Sequence, residues 1–590
     1  YQTQSRLTCL TLSDDGSELP PHNRGTKTDC QLARRHNRYP NSFSSLVWGK
    51  QCHQNIFKQA HNTIKPMQAV IPETLNMAWD VCDKWVDKGR GGDPAIYIDH
   101  RRVTYSELKD LSDRFAYGLA SLGIKRGDRI LFRLRNCLEY TVACLGAWKK
   151  GAVPSFTNTL FRTYELQHIL ANSEAIAVIT SKDLLPPIEE AKSPYLKHTI
   201  IVDEPEGDQI SFKELMSGPR ISEIATTSKD ERAFIFYTSG TTGFPKGVAH
   251  AHRWIVATGE PISKIMMDLH HDDKVLHPQE YSFIYPFGCG FVYSLHAGAS
   301  IIIFSGRPTP EKFFEYIEKY RPTVICTVPT MYRMMLAVKD AEKLYDLSSV
   351  RHGISAGETL PSSTFEEWKR RFGITIYDGL GQTEIHIFVA ETPRMKVKPG
   401  SCGKPFPGFV VKILDDDGKE LKPGEVGHIA IKDDNPGLFI EYIKNSEKWE
   451  QTHKYGYYFT GDLGYYDEDG YFWYVSRADD IIKSRGYLIS PMEVERVILE
   501  VPGVLEAAVV GAPDEIMGSK VKAFVTLRPG YEPSEEMMQK IVDHVKQRIA
   551  PYKAPKEIEF VNELPKTPTG KILRRMLRQA EAEKYAKQQR

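Results

Sequence analysis

The sequence predicts an α/β protein with two doubly wound layers of strands and helices, a small β-barrel subdomain and a small α+β C-terminal domain. Strand and helix patterns alternate between residues 95 and 377, β patterns dominate after Gly400, and helical patterns return from Ser490 onward. A chain of 590 residues is too long for a single core, so about three or four folding units are expected.

The first layer is predicted from a hairpin and the alternating segments that follow it. Ala95–Ile98 and Val103–Tyr105 form the hairpin pattern, and Ser106–Leu122 carries apolar residues at helical spacing. The alternation continues through further segments of the same two kinds, namely Arg129–Leu134, Tyr140–Lys150, Ala175–Thr180 and Thr199–Val202. Ala233–Tyr237 is predicted separately as a buried strand.

The second layer and the later units follow the same logic. The second layer is predicted from Ala299–Ser305, Pro310–Tyr320, Val324–Thr327, Pro329–Ala337 and Ile374–Tyr377. The β subdomain is predicted from Val410–Asp415, Gly427–Lys432 and Gly470–Val475. The final unit is predicted from Ser490–Leu499, Val504–Gly511, Lys520–Leu527, Ser534–Ile549 and Glu557–Phe560.

Bulk properties exclude several classes of partner. The chain has 77 basic and 76 acidic residues, so its charge gives no case for nucleic acid as a partner. No apolar run reaches the roughly 18 residues that span a bilayer. The nine cysteines lack metal-ligand spacing, which favours a reducing compartment, and we expect a cytoplasmic protein. Residues 1–66 are polar and aperiodic, and they are left unassigned as an extension or a disordered leader.

The segment Tyr237–Val248 is the most informative part of the chain. It follows a buried strand pattern and combines small hydroxyls, three glycines and Lys246. Backbone N–H groups and hydroxyls at such a strand end converge on anionic oxygens, so this loop predicts a phosphate site. It is not the P-loop of the Walker type, because Phe244 and Pro245 precede the lysine and Gly247 follows it.

Further motifs follow in a fixed order, namely Ser355–Glu358, Asp378–Glu384, Thr460–Asp462, Ser476–Asp480 and Pro565–Lys571. With the glycine-rich loop, they resemble the adenylate-forming superfamily over residues 70–575. This superfamily contains acyl- and aryl-CoA synthetases, peptide-synthetase adenylation domains and luciferases. The segment Asp378–Phe388 is similar to that of benzoate and 2-aminobenzoate CoA ligases, and medium-chain acyl-CoA synthetases are the other similar type.

The resemblance implies an ATP site with four catalytic residues. Lys246 neutralises the departing pyrophosphate, Thr383 meets the α-phosphate and the acid, Glu384 holds Mg²⁺, and Lys571 bridges carboxylate and ribose. Asp462 accepts the ribose hydroxyls, which requires an ionised acceptor. The implied ATP- or AMP-binding set is Thr238, Ser239, Gly240, Thr241, Thr242, Gly243, Lys246, Gly357, Glu358, Asp378, Gly379, Leu380, Gly381, Gln382, Thr383, Asp462, Arg477 and Lys571.

The resemblance also implies a mobile C-terminal domain. It gives an AMP-binding domain over residues 67–476, a hinge over 477–480 centred on Asp479, and a C-terminal domain over 481–590 that carries Lys571. The CoA channel is implied at Ser484, Arg485, Gly486 and Tyr487. Hinges of this kind are a few residues that absorb large backbone changes.

The acyl pocket is implied at an aromatic and glycine-rich run, with Phe287, Gly288, Cys289, Gly357 and His386 as its lining. The glycines at 288 and 290 are interpreted as leaving room, and aromatic walls favour a flat or bulky apolar acid. Aromatic runs are as readily explained as core, and that alternative stays open.

The implied activity is that of an AMP-forming acyl-CoA synthetase, with ATP, Mg²⁺ and coenzyme A as cofactor and co-substrates. The acid, aromatic or of medium or branched chain, is not specified. Three alternatives remain: an adenylation enzyme that loads a carrier protein, a luciferase-like oxidoreductase, and a catalytically silent nucleotide-binding regulator. Nothing in the sequence indicates a homo-oligomer.

Overall fold

A computed structural model of the chain describes residues 70–221, 223–238, 245–484, 487–514, 518–566 and 572–588. The polar segment 1–66 and four groups of predicted site residues lie outside these ranges, namely Ser239–Gly243, Arg485, Gly486 and Lys571. Within the described ranges, no helix is both long enough and apolar enough to cross a membrane.

The strands, in chain order, are β1 (Pro94–Ile98), β2 (Arg101–Thr104), β3 (Arg129–Arg133), β4 (Val153–Phe156), β5 (Ala177–Thr180), β6 (His198–Ile201), β7 (Ile210–Ser211), β8 (Arg232–Thr238), β9 (Lys246–Ala251), β10 (Lys274–His277), β11 (Ser300–Ile303), β12 (Val324–Thr327), β13 (His352–Ala356), β14 (Thr375–Gln382), β15 (His386–Ala390), β16 (Lys404–Pro405), β17 (Val411–Leu414), β18 (Gly427–Lys432), β19 (Glu441–Tyr442), β20 (His453–Lys454), β21 (Tyr457–Tyr466), β22 (Phe472–Arg477), β23 (Ile482–Ser484), β24 (Tyr487–Ile489), β25 (Val504–Asp514), β26 (Gly518–Leu527) and β27 (Glu557–Phe560).

The α-helices are α1 (Lys84–Asp87), α2 (Tyr105–Ser121), α3 (Leu138–Lys150), α4 (Thr163–Ser173), α5 (Pro186–Ala191), α6 (Phe212–Leu215), α7 (Trp254–Pro261), α8 (Ile284–Phe287), α9 (Tyr293–His296), α10 (Pro310–Tyr320), α11 (Pro329–Ala337), α12 (Ala341–Leu344), α13 (Ser362–Phe372), α14 (Ser446–Thr452), α15 (Pro491–Ile498), α16 (Glu535–Arg548) and α17 (Arg574–Gln588). Three π-helical segments adjoin them, at Trp79–Asp83, Ile262–Met266 and Gly288–Val292. Short 3₁₀ turns occur at Lys182–Leu184 and Pro551–Lys553.

Two large mixed sheets form the body of the N-terminal region. The first has the order β16-β15-β14-β13-β12-β10-β11-β1-β2 and the second β19-β9-β8-β4-β3-β5-β6-β7. Their central strands are parallel, whereas β2, β15 and β16 in the first sheet and β9 and β19 in the second pair antiparallel. Helices connect the parallel strands, as in doubly wound folds, and this confirms that there are two α/β layers. The hairpin β1–β2, which the sequence placed in the first predicted layer, instead pairs through β1 with β11 and belongs to the sheet of the second layer.

The β-rich subdomain predicted after Gly400 is a five-stranded antiparallel sheet. Its order is β17-β18-β21-β20, with β22 also paired to β21. In the described residues, β17 and β20 do not pair with each other, so the sheet is not closed into a barrel. The C-terminal unit contains the hairpin β23–β24 and the sheet β25-β26-β27, whose apolar face packs with α15 and α16 around Val494, Val509 and Ile541.

Most of the elements that the sequence patterns predicted are placed to within a residue or two, but β9, β15, β19 and β21 of the site were not predicted, and one predicted strand has a different end. The strand predicted to end at Tyr377 continues to Gln382 in β14. From Gly379 onward, β14 pairs with the antiparallel strand β15. The residue pattern of the predicted strand does not indicate this second pairing. The sequence had placed Asp378 just beyond a strand end, and this prediction is wrong, because Asp378 lies inside β14.

Candidate functional site

The predicted phosphate loop lies at the end of the β8–β9 hairpin. Thr238 and Lys246 are paired across this hairpin. The residues at which β8 ends and β9 begins therefore lie opposite each other. Gly247 comes directly after Lys246. A Cβ at this position would lie 3.0 Å from the ring of Tyr237, so glycine avoids a tight contact with that ring. The hairpin therefore fixes the lysine beside the loop that the sequence selects.

The second predicted motif forms the turn between β14 and β15. Gln382 and His386 are paired across the two strands, and Thr383, Glu384 and Ile385 form the turn. Gly381 is needed just before it, because a Cβ there would lie 2.5 Å from the carbonyl oxygen of His386. The segment Gln382–Glu384 is called the corner below.

Hydrogen bonds from three different strands hold the corner. The Tyr458 hydroxyl on β21 donates to Oε1 of Gln382 at 2.6 Å. His250 on β9 donates from Nε2 to the Thr383 carbonyl at 2.8 Å. The Tyr442 hydroxyl on β19 donates to Oε1 of Glu384 at 2.8 Å, and the Phe439 N–H donates to the Glu384 carbonyl at 2.8 Å. Each residue of the corner is thus positioned by tertiary contacts.

Lys246 lies in the electrostatic field of the corner. Partial burial, with the positive charge of Lys448, lowers the pKa of its ammonium below the ordinary value, and the Glu384 carboxylate opposes this. Arg477 lowers the pKa of Lys246 and Asp479 raises it. Lys246, Glu384 and Arg477 are therefore close enough in space to influence one another, although they lie far apart in the sequence.

Asp462 and Arg477 form the third part of the site. They are directly paired across β21 and β22, and Nη1 of Arg477 lies 3.1 Å from Oδ1 of Asp462. Burial acts to lower the pKa of Arg477, but Asp462, Tyr474, Asp479 and Glu384 together outweigh burial and raise it above the ordinary value. Gln382 reaches the same carboxylate, with Nε2 3.5 Å from Oδ2. This contact joins the corner to the predicted ribose site.

The segment Ser355–Glu358 is exposed to solvent at its glycine. Gly357 has φ +90°, and the nearest atom that a Cβ would meet is Cγ1 of Val328 at 3.8 Å. Glu358 accepts a hydrogen bond at Oε2 from the Thr330 hydroxyl at 2.8 Å. The geometry thus leaves room for a ligand beside Gly357 while Glu358 is tied to helix α11.

Asp378 supports this segment from inside the sheet. It is paired with Ser355, and its Oδ2 accepts from the Leu360 N–H at 3.4 Å. Burial raises its pKa well above the ordinary range, and the nearby Glu391 adds to this. Burial also raises the pKa of Glu391 to about 7. Burial therefore favours the uncharged form of Asp378, whose Oδ2 supports the backbone after Glu358 through the Leu360 N–H.

Two predicted pocket residues belong to the core. The ring of Phe287 is fully buried and contacts the rings of Phe156, Phe234, Phe236 and other core aromatics. Cys289 is fully buried, and its carbonyl accepts from the Ser294 hydroxyl. Phe287 is therefore reassigned from pocket lining to core, since its ring faces aromatic neighbours on several sides.

The glycines at 288 and 290 do not leave empty space. A Cβ on Gly288 would lie 2.1 Å from Nε2 of His386, and one on Gly290 would lie 2.7 Å from Cβ of His277. Each glycine thus admits a buried histidine, and burial lowers the pKa of both histidines to about 3. The interpretation that these glycines make room for the acid is corrected, because side chains of the protein fill that room.

We expect Gly288→Ala to destabilise the protein by about 1–3 kcal/mol, the usual cost of overpacking a core. The added methyl would displace His386, whose ring also packs against Tyr293 at 4.8 Å between centroids. The measurement is the free energy of unfolding in urea. Gly92→Ala is the control, because a Cβ there meets nothing within 4 Å. Equal stability of the two variants would contradict this account.

The C-terminal residues of the predicted site are only partly described. Ser484 is buried at the end of β23, where it is paired with Tyr487. Tyr487 is 52% exposed and stacks on Tyr552, with 4.2 Å between ring centroids. Asp479 has its Oδ1 3.6 Å from Nε of Arg477. The structure thus connects the predicted hinge to the pair at Asp462.

The sequence analysis missed Tyr442, Tyr458 and His250. These residues lie 58, 76 and 133 positions from their partners in the corner. A single tyrosine or histidine in a strand pattern carries no signal of such a contact.

The carboxylate oxygens of Glu384 are also of the kind that bind a hard cation. Among the residues that the structure describes, no group of three His, Cys, Asp or Glu side chains could hold a metal by itself. Mg²⁺ is usually held by one or two carboxylates together with phosphate oxygens, and Glu384 offers such a carboxylate in the neighbourhood of Lys246. The residues present therefore fit an ion that binds together with a nucleotide.

Family models match most of the chain. The AMP-binding enzyme model matches residues 82–443, and the AMP-binding enzyme C-terminal domain model matches residues 493–571. Human acyl-coenzyme A synthetase ACSM3, mitochondrial, is 37% identical over 531 residues, covering 87% of this chain and 90% of that protein. Benzoate–CoA ligase of Thauera aromatica is 36% identical over 526 residues, covering 88% and 99%.

Solved structures agree with these matches. The anthranilate CoA ligase AuaEII in complex with anthranoyl-AMP has a TM-score of 0.82 and 33% identity, covering 87% of this chain and 99% of that one. A benzoate CoA ligase from Burkholderia xenovorans LB400 has a TM-score of 0.79 and 34% identity, covering 85% and 99%. The motifs, the two layered sheets and these matches agree, and the chain belongs to the AMP-binding enzyme family.

Proposed function

We propose that this protein is an AMP-forming acyl-CoA synthetase, an acid–thiol ligase that uses ATP and coenzyme A. The observation that carries the proposal is the convergence of Lys246, the corner and the Asp462–Arg477 pair. Hydrogen bonds join the corner to this pair, and the Lys246 ammonium lies in the field of Glu384 and Arg477. A cation, an anchored carboxylate and a buried ribose acceptor at one place suit adenylation of a carboxylic acid.

In the first half reaction, a carboxylate oxygen of the acid attacks the α-phosphorus of ATP. The bond from that phosphorus to the pyrophosphate oxygen breaks, and acyl-AMP and pyrophosphate result. Lys246 lies at the end of the β8–β9 hairpin, where its ammonium would neutralise the departing pyrophosphate. Thr383, fixed by His250, would orient the α-phosphate and the acid.

Glu384 is proposed as the protein ligand of Mg²⁺. When bound, the cation supplies neutralisation of charge on the phosphate oxygens. The role of the protein is to hold the carboxylate in place, and Tyr442 does so by donating to Oε1 of Glu384. Asp462 would accept the ribose hydroxyls, and the Nη1 of Arg477 that donates to its Oδ1 at 3.1 Å would hold the carboxylate in place.

In the second half reaction, the sulfur of coenzyme A attacks the acyl carbonyl carbon of acyl-AMP. The bond from this carbon to the phosphate oxygen breaks, AMP leaves, and the thiol proton is released. We propose that the C-terminal domain turns about Asp479 between the two reactions. The exposed Tyr487 beside Ser484 supports the placement of coenzyme A at the β23–β24 hairpin.

An aromatic acid is the proposed first choice of substrate, with medium-chain acids next. Relatives named benzoate–CoA ligase and anthranilate CoA ligase support the first class, and a relative named acyl-coenzyme A synthetase supports the second. The exposed Gly357, where even a Cβ would only touch Val328 at 3.8 Å, supports a pocket at this place.

Pyrophosphate release tests this function. The full chain is incubated with ATP, Mg²⁺ and each of benzoate, 2-aminobenzoate, butyrate and octanoate, with and without coenzyme A, and thioester is measured in parallel. We expect acid-dependent release, with thioester formed when coenzyme A is present. Release without thioester would favour the carrier-protein alternative, and no release with any acid would favour a silent nucleotide-binding regulator.

A reducing compartment, with the cytoplasm as the first choice, is the proposed location. Six of the cysteines lie in the described part of the chain and all six are free thiols, which supports the proposal. Fractionation of the source cells with an antibody to this chain would test it.

A further inference from the structure

The Glu384 carboxylate is oriented by a residue from a different sheet. Tyr442 lies on β19, a two-residue strand at the edge of the sheet that also carries Lys246 on β9. Glu384 lies at the turn of the other large sheet. The hydrogen bond from the Tyr442 hydroxyl to Oε1 of Glu384, 2.8 Å long, therefore crosses from one layer to the other.

The environment of Tyr442 makes it a rigid donor. Its side chain is 4% exposed and its ring packs on Phe439, with 4.6 Å between centroids. Burial, with the adjacent Glu384 carboxylate, raises its pKa above the ordinary value, so the hydroxyl keeps its proton. The N–H of Phe439 donates to the Glu384 carbonyl, so the segment that carries the tyrosine holds both the backbone and the side chain of Glu384.

A donor on one oxygen of a carboxylate has two consequences. It selects one orientation of the group, and it leaves the other oxygen, Oε2 of Glu384, to face a cation. Hydrogen-bond partners of a metal ligand orient that ligand, and their loss usually lowers metal affinity or activity by about 10–100-fold. The same contact also ties the metal-binding carboxylate to the sheet that carries the phosphate loop.

We propose that Tyr442 is a positioning residue for nucleotide-bound Mg²⁺, acting through Glu384. This inference rests on the proposed function, because it assumes that Glu384 meets a metal–nucleotide complex. Tyr442 itself touches neither substrate nor metal.

The test is Tyr442→Phe in the full chain, which removes one hydroxyl and keeps the ring. Binding of Mn²⁺ is titrated in the presence of a non-hydrolysable ATP analogue by electron paramagnetic resonance of the free ion. We expect the apparent dissociation constant for Mn²⁺ to rise about 10-fold or more, within the range given for such partners. The half-saturating Mg²⁺ concentration for pyrophosphate release should rise in parallel.

The matched control is Tyr466→Phe, which removes a hydroxyl that donates to the Leu421 carbonyl at 3.0 Å in the five-stranded sheet. It should leave Mn²⁺ affinity unchanged. An unchanged affinity in Tyr442→Phe would overturn the proposal, while absence of Mn²⁺–nucleotide binding by the parent protein would overturn it together with the proposed function.

A double-mutant cycle with Glu384→Gln separates positioning from a general structural role. If Tyr442 acts through Glu384, adding Tyr442→Phe to Glu384→Gln should weaken Mn²⁺ binding no further. Independent, additive losses in the double variant would overturn the proposal. The cycle compares variants of one background, so it remains decisive even if Tyr442→Phe lowers the melting temperature.

Discussion

Lys571→Ala should abolish formation of acyl-AMP from acid and ATP while leaving attack of coenzyme A on supplied acyl-AMP largely intact. The reason is that this lysine, by the family resemblance of its motif Pro565–Lys571, reaches the site only in the adenylating arrangement. Loss of one charge-assisted contact to the transition state costs about 2.7–4 kcal/mol, or 10²–10³-fold in rate. The two half reactions are measured separately, by pyrophosphate release and by thioester formation.

Lys556→Ala is the control for this experiment, because Lys556 is an exposed lysine of the same domain. It should leave both half reactions unchanged. Equal losses in the two half reactions of Lys571→Ala would show that the lysine supports the domain generally, and the two-arrangement account would then fail.

Asp462→Asn should weaken ATP binding by about 10- to 150-fold, since hydrogen bonds to a charged group contribute about 1.5–3 kcal/mol. Asp462 is 5% exposed, and it accepts from Arg477 at 3.1 Å and faces Gln382 at 3.5 Å. An amide replaces one acceptor oxygen by a donor, so the variant cannot serve both the arginine and the ribose. Isothermal titration with a non-hydrolysable ATP analogue gives the affinity.

Asp469→Asn is the matched control, because its carboxylate pairs with Lys398 at 2.6 Å but is 71% exposed. Exposed ion pairs contribute about 0–1 kcal/mol, so this variant should keep the parental affinity and stability. An Asp462→Asn protein that binds the analogue as tightly as the parent would mean that the ribose lies elsewhere.

The sequence predicts the site motifs because their residue types are chemically constrained locally. Thr238, Lys246 and Gly247 stand together in a loop after a buried strand, and the structure pairs Thr238 with Lys246 at the end of one hairpin. The acyl pocket shows the opposite case. Gly288 was interpreted as room for a ligand, yet the space above it holds His386 from a strand nearly one hundred residues away.

The sequence by itself determined the α/β class, the order of the motifs and the identity of Lys246, Glu384, Asp462 and Arg477 as site residues for testing. The class depends on periodicity, which a single chain displays directly, whereas the roles of Glu384, Asp462 and Arg477 were implied by the resemblance of the ordered motifs to a known superfamily. Only the tertiary structure decided that Asp378 lies inside a strand and that the His386 side chain occupies the space beside Gly288.

The tertiary structure also decided which side chains hold the corner. Contacts such as Tyr442 to Glu384 form between strands of different sheets, and their partners are chosen by how those sheets pack. A hydroxyl on a buried ring needs a partner wherever the fold places it, and its position in the sequence does not name that partner.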